Sequence, residues 1–397
     1  MVLKKVTLDK FRNYENTQLS FNGNFNFIYG NNGQGKTNLL EAISFFSFGK
    51  SFLAVNEQDC IKFGYNDFRI SGEFENDIGN NYTVTIDYCL LPKKKAIYLN
   101  NEKVGSFGNE IFGRFPLVYL SPHSLNISYG NPSERRKFFD ILIAETNKVY
   151  FDFLKKFTRL LKQKNALLKD NLQNRKISQS DFENILESYN INIIDLSANI
   201  IFRRLNFLNE FNGYYQNNFV KLTEDDCESC INYYSEATGE IEHMEFKNFT
   251  IEKLSEIFTG FLKEKYQEEI QRGQMLFGPQ RDDFIFRLKK KDEDIAKGFE
   301  IKNFASQGEH KTAIITLKLA EFHYLKDKTS TNPILLLDDV LSELDSGRIF
   351  RVISHLKEYG QILLTTTEEG HSGSLKKYYN ESEFSTYKIN KGIVATN

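Results

Sequence analysis

Gly30-Asn31-Asn32-Gly33-Gln34-Gly35-Lys36-Thr37 fills every fixed position of the pattern G-x-x-x-x-G-K-[ST]. Those residue types at that spacing bind phosphate. Glycines let the backbone wrap a polyphosphate with its N–H groups pointing inward, and the helix N-terminus that follows adds partial positive charge. Lys36 would reach the β- and γ-phosphates, and the Thr37 hydroxyl would ligate Mg²⁺. A second chemical element follows about three hundred residues later, where the apolar run Pro333-Ile334-Leu335-Leu336-Leu337 ends in Asp338-Asp339. Asp338 would hold Mg²⁺ through water, and Asp339 would polarise the attacking water. Between them in chemistry stands Ser306-Gln307-Gly308-Glu309: Ser306, the Gly308 N–H and the helix that opens there make a second potential anion site. Taken alone, Ser306 with Glu309 three residues on reads first as a capping box.

The elements that must position these residues are legible. Phe25–Tyr29 is an apolar strand ending at the glycine-rich loop, and Asn38-Leu39-Leu40-Glu41-Ala42-Ile43 opens a helix after it. Ile334 to Leu337 is a buried strand of the kind found at the centre of a parallel sheet, whose carboxyl end collects functional groups. Tyr82 to Tyr88 alternates at period two; Ala96 to Leu99 precedes the turn signal Asn100-Asn101; Phe284 to Phe286 and Ile362 to Thr365 read as further strands. A helix is expected from Gln307 to Phe322. Over residues 133–270 the apolar residues recur three and four apart (Phe153, Leu154, Phe157, Leu160, Leu161; Ile194, Leu196, Ile200, Ile201), and no proline occurs between Pro132 and Pro279. The expectation is an α/β nucleotide lobe, 1–130 with 276–397, split by a helical second lobe, 131–275.

Composition excludes several classes. Lys and Arg total 51 against 53 Asp and Glu, so this is no bulk polycation and any contact with nucleic acid must use local patches. Short basic runs exist: Arg135-Arg136-Lys137, Arg203-Arg204, Lys289-Lys290-Lys291, and the cluster Lys155, Lys156, Arg159, Lys162, Lys164, Lys169, Arg175, Lys176. A solvated helix face and contacts to a phosphate backbone are both open readings of them. No apolar run approaches the ~20 residues of a membrane span. The N-terminus alternates through Val6, Leu8 and Phe11 as a strand rather than a secretory signal. Four cysteines make no disulfide framework, which sets the reducing cytosol as the default compartment. Cys227 and Cys230 lack the second pair a zinc site needs.

Ser306-x-Gly308 at a helix start, shortly before a strand closing in Asp338-Asp339, is similar to the signature motif of ABC-type ATPases, and Ser342-Glu343-Leu344-Asp345 resembles their D-loop. Phe11-Arg12-Asn13-Tyr14, the run from Gly30 to Ile43, and Leu337 to Asp345 resemble the RecF family of bacterial recombinational repair. So do Gly130-Asn131-Pro132-Ser133-Glu134-Arg135-Arg136-Lys137-Phe138-Phe139-Asp140 and Gly278-Pro279-Gln280-Arg281-Asp282-Asp283, which are specific to that family. Gln280 stands where the family has histidine, and the strand expected to carry a switch histidine reads Leu364-Thr365-Thr366-Thr367, with His371 further on.

The resemblance implies a split ABC-type P-loop ATPase head with a mainly helical inserted lobe, using ATP and Mg²⁺. It implies an ATP-dependent homodimer in which the Ser306 loop of one subunit closes on the γ-phosphate held by Lys36 of the other, with slow, DNA-stimulated hydrolysis opening it. Arg12 and Asn13 are expected at phosphate or sugar. The implied partners are duplex DNA and single-strand/double-strand junctions, with RecO and RecR as helpers in loading RecA, in a cytoplasmic pathway of fork restart and SOS induction. An SMC-like structural ATPase would need long heptad arms, for which residues 133–270 are too few and too irregular. A transporter ATPase subunit would lack both family-specific stretches.

Overall fold

Val6 and Leu8, two apart, face the core, and two irregularities, a register shift between Leu3 and Lys5 and left-handed backbone at Lys10 (φ 53°), bring Leu3 and Phe11 into it as well. This strand, β1 (Val2–Phe11), turns through Arg12-Asn13 into β2 (Tyr14–Ser20), and the chain then runs β3 (Phe25–Tyr29), α1 (Lys36–Phe48) and β4 (Asp67–Glu75). Hairpins add β5 (Asn81–Leu90), β6 (Lys93–Leu99) and β7 (Glu102–Lys103), giving an antiparallel sheet of order β2-β1-β4-β5-β6-β7. The Asn100-Asn101 turn has φ of 51° and 68° at its two central residues, the left-handed backbone that matches strand twist in a two-residue hairpin. A short helix α2 (Phe107–Glu110) leads to β8 (Leu117–Leu120).

The computed structural model describes residues 1–53, 56–173, 177–223, 227–290, 298–340, 359–370, 373, 375 and 379–396. They divide into two units, Met1–Leu125 with Ile315–Asn397, and Asn126–Ile314. The second unit contains α3 (Asn126–Tyr129), α4 (Pro132–Thr146), α5 (Lys148–Gln173) and the 44-residue α6 (Gln179–Leu222). After these come β9 (Cys227–Ser235), β10 (Gly239–Ile241), α7 (Ile251–Arg272), β11 (Asp283–Lys290), β12 (Phe299–Glu300) and α8 (Ile301–Phe304). The helix α9 (Gln307–Thr329) carries the dividing point between units. Then β13 (Ile334–Asp338), β14 (Ile362–Thr366), β15 (Phe384–Asn390) and β16 (Ile393–Thr396) complete the first unit.

Its second sheet has the order β16-β15-β3-β14-β13-β8, parallel from β15 to β8. β3, β13 and β14 are buried at every residue, which is why Ile334–Leu337 and Ile362–Leu364 read as unbroken apolar runs, while the buried Asn26 of β3 donates its amide to the Asn22 and Ile362 carbonyls. The helix α1 contributes Leu39, Leu40, Ile43, Phe45 and Phe46 to one core with Leu8 and Phe11 of β1 and Leu336 and Leu363 of the parallel sheet. The mixed α/β architecture with a helical insertion is the expected class.

Two features differ from the sequence expectation. The insert carries its own sheet, β10-β9-β11-β12, so Phe284–Phe286 pair with Ile231–Tyr233 inside the second unit rather than with the nucleotide lobe that was expected to resume at 276. Periodicity identifies a strand but not its partner. The outer edge of β9 is closed by side chains one helical turn apart on α6: Asn212 bonds both backbone groups of Ile231, and Gln216 accepts from the Ser229 N–H.

The two family-specific stretches meet in the second unit's interior. Arg135 forks onto both oxygens of Asp283 at 2.6 and 2.7 Å, and Arg136 donates to the Asp282 carbonyl at 2.6 Å. Arg204, 1% exposed, donates to Asp140, to the hydroxyls of Tyr150 and Tyr233 and to the Pro279 carbonyl. Burial pushes the Asp282 carboxyl up to about 7 against the pull of Arg204. Lys164 is likewise buried against Glu269 at 2.6 Å. Arg135, Arg204 and Lys164 are therefore withdrawn from the list of phosphate-backbone contacts, because their charges are neutralised inside the fold and a buried charge survives only when paired.

Candidate nucleotide-binding site

Gly30 follows the last residue of β3 and Gly35 caps α1, so the loop between them lies at the carboxyl end of the parallel sheet. Asn31, Asn32 and Gly33 are exposed, while Lys36 is 7% exposed. Its Nζ donates to the carbonyls of Gly30 and Asn31 at 2.6 and 3.0 Å, which holds the ammonium inside the loop. Burial lowers the Lys36 pKa, and the nearby carboxylates of Asp339 and Asp338 oppose that shift.

The loop is braced from behind. The Asn13 amide donates to the Gln34 carbonyl at 2.8 Å, its oxygen accepts from Asn38 at 2.9 Å, and the Tyr14 hydroxyl donates to the Gly35 carbonyl. Gly35 has φ +116°, and a Cβ there would lie 2.5 Å from the Asn13 side chain, so only glycine fits. Arg12 forks onto the buried Glu41 of α1 at 2.8 Å through both Nε and Nη2, and Nη1 donates to the Asp59 carbonyl. All three guanidinium nitrogens thus meet protein groups. Arg12 and Asn13 shape the loop and its helix through these contacts.

β13 brings Asp338 to the same sheet end. Its Oδ1 accepts from Thr37 Oγ1 at 3.2 Å and from Thr365 Oγ1 at 2.6 Å, and its Oδ2 accepts from the Tyr119 hydroxyl at 3.2 Å. Asp339 follows in the left-handed region at φ 52°, and its N–H bonds both the carbonyl and the hydroxyl of Thr365 at 3.1 Å. Such backbone is uncommon outside glycine and turns the Asp339 side chain out of the strand alternation. Thr365 and Tyr119 were missed by sequence reasoning. Thr365 lies on the strand expected to carry a switch histidine, and the available signal was a run of threonines at its end.

A third support comes from the chain's last hairpin. The N–H groups of Lys391 and Gly392 donate to the side chain and the carbonyl of Gln34 at 2.8 and 3.0 Å. Gly392 has φ +79°, and a Cβ there would lie 2.6 Å from the Asn13 carbonyl oxygen. Gly392→Ala is expected to displace the hairpin from the loop and weaken ATP binding up to about fivefold, from ~1 kcal/mol of strain. A nucleotide titration beside a thermal melt checks it; unchanged affinity would mean that the hairpin does not hold the loop.

In the second unit, Ser306 and Glu309 form the reciprocal capping box at the start of α9 (3.3 and 2.7 Å), with Ser306 exposed and Gly308 half-buried. His310, one turn on, bonds the Ser128 hydroxyl at 3.0 Å. The Ser342–Asp345 stretch, His371, Arg175, Lys176 and Lys291 lie outside the described residues. Cys227 and Cys230 fall on β9, where residues three apart face opposite sides of a sheet and cannot share one ion. Burial pushes the Cys230 thiol up to about 12.

A parallel sheet carrying a phosphate-binding loop after β3 and a hydrogen-bonded carboxylate at the end of β13, one strand removed, defines a P-loop ATPase head. The model of the RecF/RecN/SMC N-terminal domain matches residues 2–386. Solved Smc head domains share the fold alone, for example one from Pyrococcus furiosus at 14% identity and TM-score 0.55. Much nearer are the DNA replication and repair proteins RecF of Chloroherpeton thalassium, 34% identical across 95% of this chain and 98% of that protein, and of Clostridium acetobutylicum, 30% identical across 100% and 99%. A solved structure of the recombination mediator protein RecF with ATP, of the RecFOR pathway, superposes at TM-score 0.84, with 30% identity over 100% of this chain and 97% of that one. The chain belongs to the RecF family.

Proposed function

We propose that this protein is an ATP-gated DNA clamp of recombinational repair. The observation that carries the reading is the meeting of Lys36, Thr37 and Asp338 at one sheet end. One carboxylate and one hydroxyl 3.2 Å apart are the sparse donor set with which Mg²⁺ binds between protein and phosphates. Bound there, Mg²⁺ would neutralise charge on the β- and γ-phosphates. The chain's own residues cradle those phosphates with the loop N–H groups, neutralise them with Lys36, and orient the attacking water with Asp339.

ATP acts as a timer. The exposed Ser306-Gln307-Gly308 stretch meets the γ-phosphate of a second copy, and slow, DNA-stimulated hydrolysis releases the homodimer. The substrate is duplex DNA and single-strand/double-strand junctions at gaps, in the cytoplasm, where the clamp works with RecR and RecO to load RecA during fork restart and SOS induction. Membership of the RecF family and a relative described in the RecFOR pathway support this assignment. Light scattering with ATP, ADP and DNA tests it: the dimer is expected with ATP alone or with DNA, and a monomer under every condition would overturn it.

DNA contact is assigned to α5. With Lys164 internal, Lys155, Arg159, Lys162 and Lys169 remain exposed and recur four, three and seven apart, a single stripe along the helix. Reversing Lys155 and Arg159 to glutamate is expected to weaken duplex binding equally across sequences. It should also flatten the salt dependence, by roughly 0.9 log units per decade of salt for each phosphate that is no longer neutralised. Binding measured by anisotropy at several salt concentrations decides it.

A further inference from the structure

At the far end of α1, ~20 Å along the helix from Lys36, Gly49 terminates the helix and opens a cleft of about 380 Å³. Its floor is apolar, formed by Phe48, Ile97, Val104 and Phe107, and its wall includes Lys50, Lys95 and Lys103. Lys95 is committed to the Gly49 carbonyl and to Glu57. Lys50 and Lys103 are exposed and have no ion-pair partner among the described residues. Lys93 and Lys94 continue the positive charge along the same strand, also exposed.

The strand that borders the cleft has an open edge. β7 pairs only with Tyr98 and Leu99 of β6, and the Val104 N–H reaches the Ile97 carbonyl. By the period of two, Lys95 and Lys93 direct their backbone groups to that same outer edge, where no strand pairs with them among the described residues. Lysines on such an edge repel other lysine-bearing edges and so suppress self-association, while leaving it available to a strand of opposite charge.

We propose that this edge and cleft dock a partner protein through an extended acidic segment carrying one large apolar side chain. The backbone of the segment would continue the sheet along β6, its carboxylates would face Lys50, Lys93 and Lys103, and its apolar side chain would fill the Phe48-Ile97-Val104-Phe107 floor. A phosphate backbone would match the lysines but would leave the apolar floor and the strand edge unused, which is why a peptide is the better fit.

The test uses the full chain and three short fluorescent peptides of glutamate and aspartate with a central Phe, Leu or Ile, beside a fourth with Ser at the centre. At least one apolar-centred peptide is expected to bind with a Kd below about 1 mM. The Ser peptide should bind about tenfold more weakly, and Lys50→Glu with Lys103→Glu should weaken the apolar-centred peptide about tenfold, with ATP affinity unchanged. Because both lysines are exposed, the charge reversals leave the core intact, and a thermal melt verifies that. Absence of binding by all three peptides, equal binding by the reversed variant, or a short DNA duplex that competes fully and is itself lost in the variant would each overturn the proposal. Failure here leaves the nucleotide-gated reading intact, since ATP titration reads that site separately.

Discussion

Lys36→Ala is expected to reduce ATP affinity by about a hundredfold or more, to the edge of detection in a nucleotide titration. Two charge-assisted hydrogen bonds to phosphate at ~1.5–3 kcal/mol each set that scale. The variant should fold, because Lys36 bonds only to carbonyls of its own loop, Gly30 and Asn31, and those carbonyls can turn to water when the ammonium is gone. Lys36→Arg should separate binding from turnover. The guanidinium keeps the charge and some affinity. Its planar fork is too broad for a position that is 7% exposed and gripped at 2.6 Å, so hydrolysis should be lost. Normal turnover by Lys36→Arg would remove Lys36 from the catalytic assignment.

Asp338 and Asp339 are neighbours that should fail differently. Asp338 accepts from Thr37, Thr365 and Tyr119, so Asp338→Asn places an amide donor among hydroxyl donors and removes the charge that would hold the metal. Nucleotide should be held badly and the dimer should form poorly. Asp339→Asn keeps size and tolerates the left-handed backbone at φ 52°, because asparagine adopts it as readily as aspartate. What it removes is the carboxylate proposed to orient water, a loss worth about 10²–10⁴ in rate. ATP-bound dimers should then accumulate on DNA. Adding Ser306→Arg should dissolve that dimer while the monomer still binds ATP. The substitution also costs a helix cap, about 1 kcal/mol, which a melt would register separately. Sedimentation with ATP and a nucleotide titration decide it together: a double variant that still dimerises, or one that no longer binds ATP, would show that Ser306 does not act in trans.

The locally encoded parts of the molecule were determined by sequence alone. Gly30 to Thr37 reads as a phosphate loop because glycine backbone, lysine charge and hydroxyl fall within eight residues, between an apolar strand and a helix. Ile334 to Leu337 announced a central parallel strand because burial on both faces demands an unbroken apolar run. Three things needed the tertiary structure, all for one reason. Whether a charge is free or neutralised depends on what lies across the fold, and sequence spacing carries no information about that. Lys155 and Lys164 look alike in the chain, yet one is exposed and the other is sealed against Glu269, 105 residues away. Thr365 meets Asp338 only because β14 lies between β3 and β13, a neighbour relation set by crossover topology. The two family-specific stretches were visible as motifs, but that they pair as Arg135 with Asp283 was decided by the folding of α4 against β11, which buries the Arg135 guanidinium to 2% exposure and sets it on a carboxylate still 16% exposed.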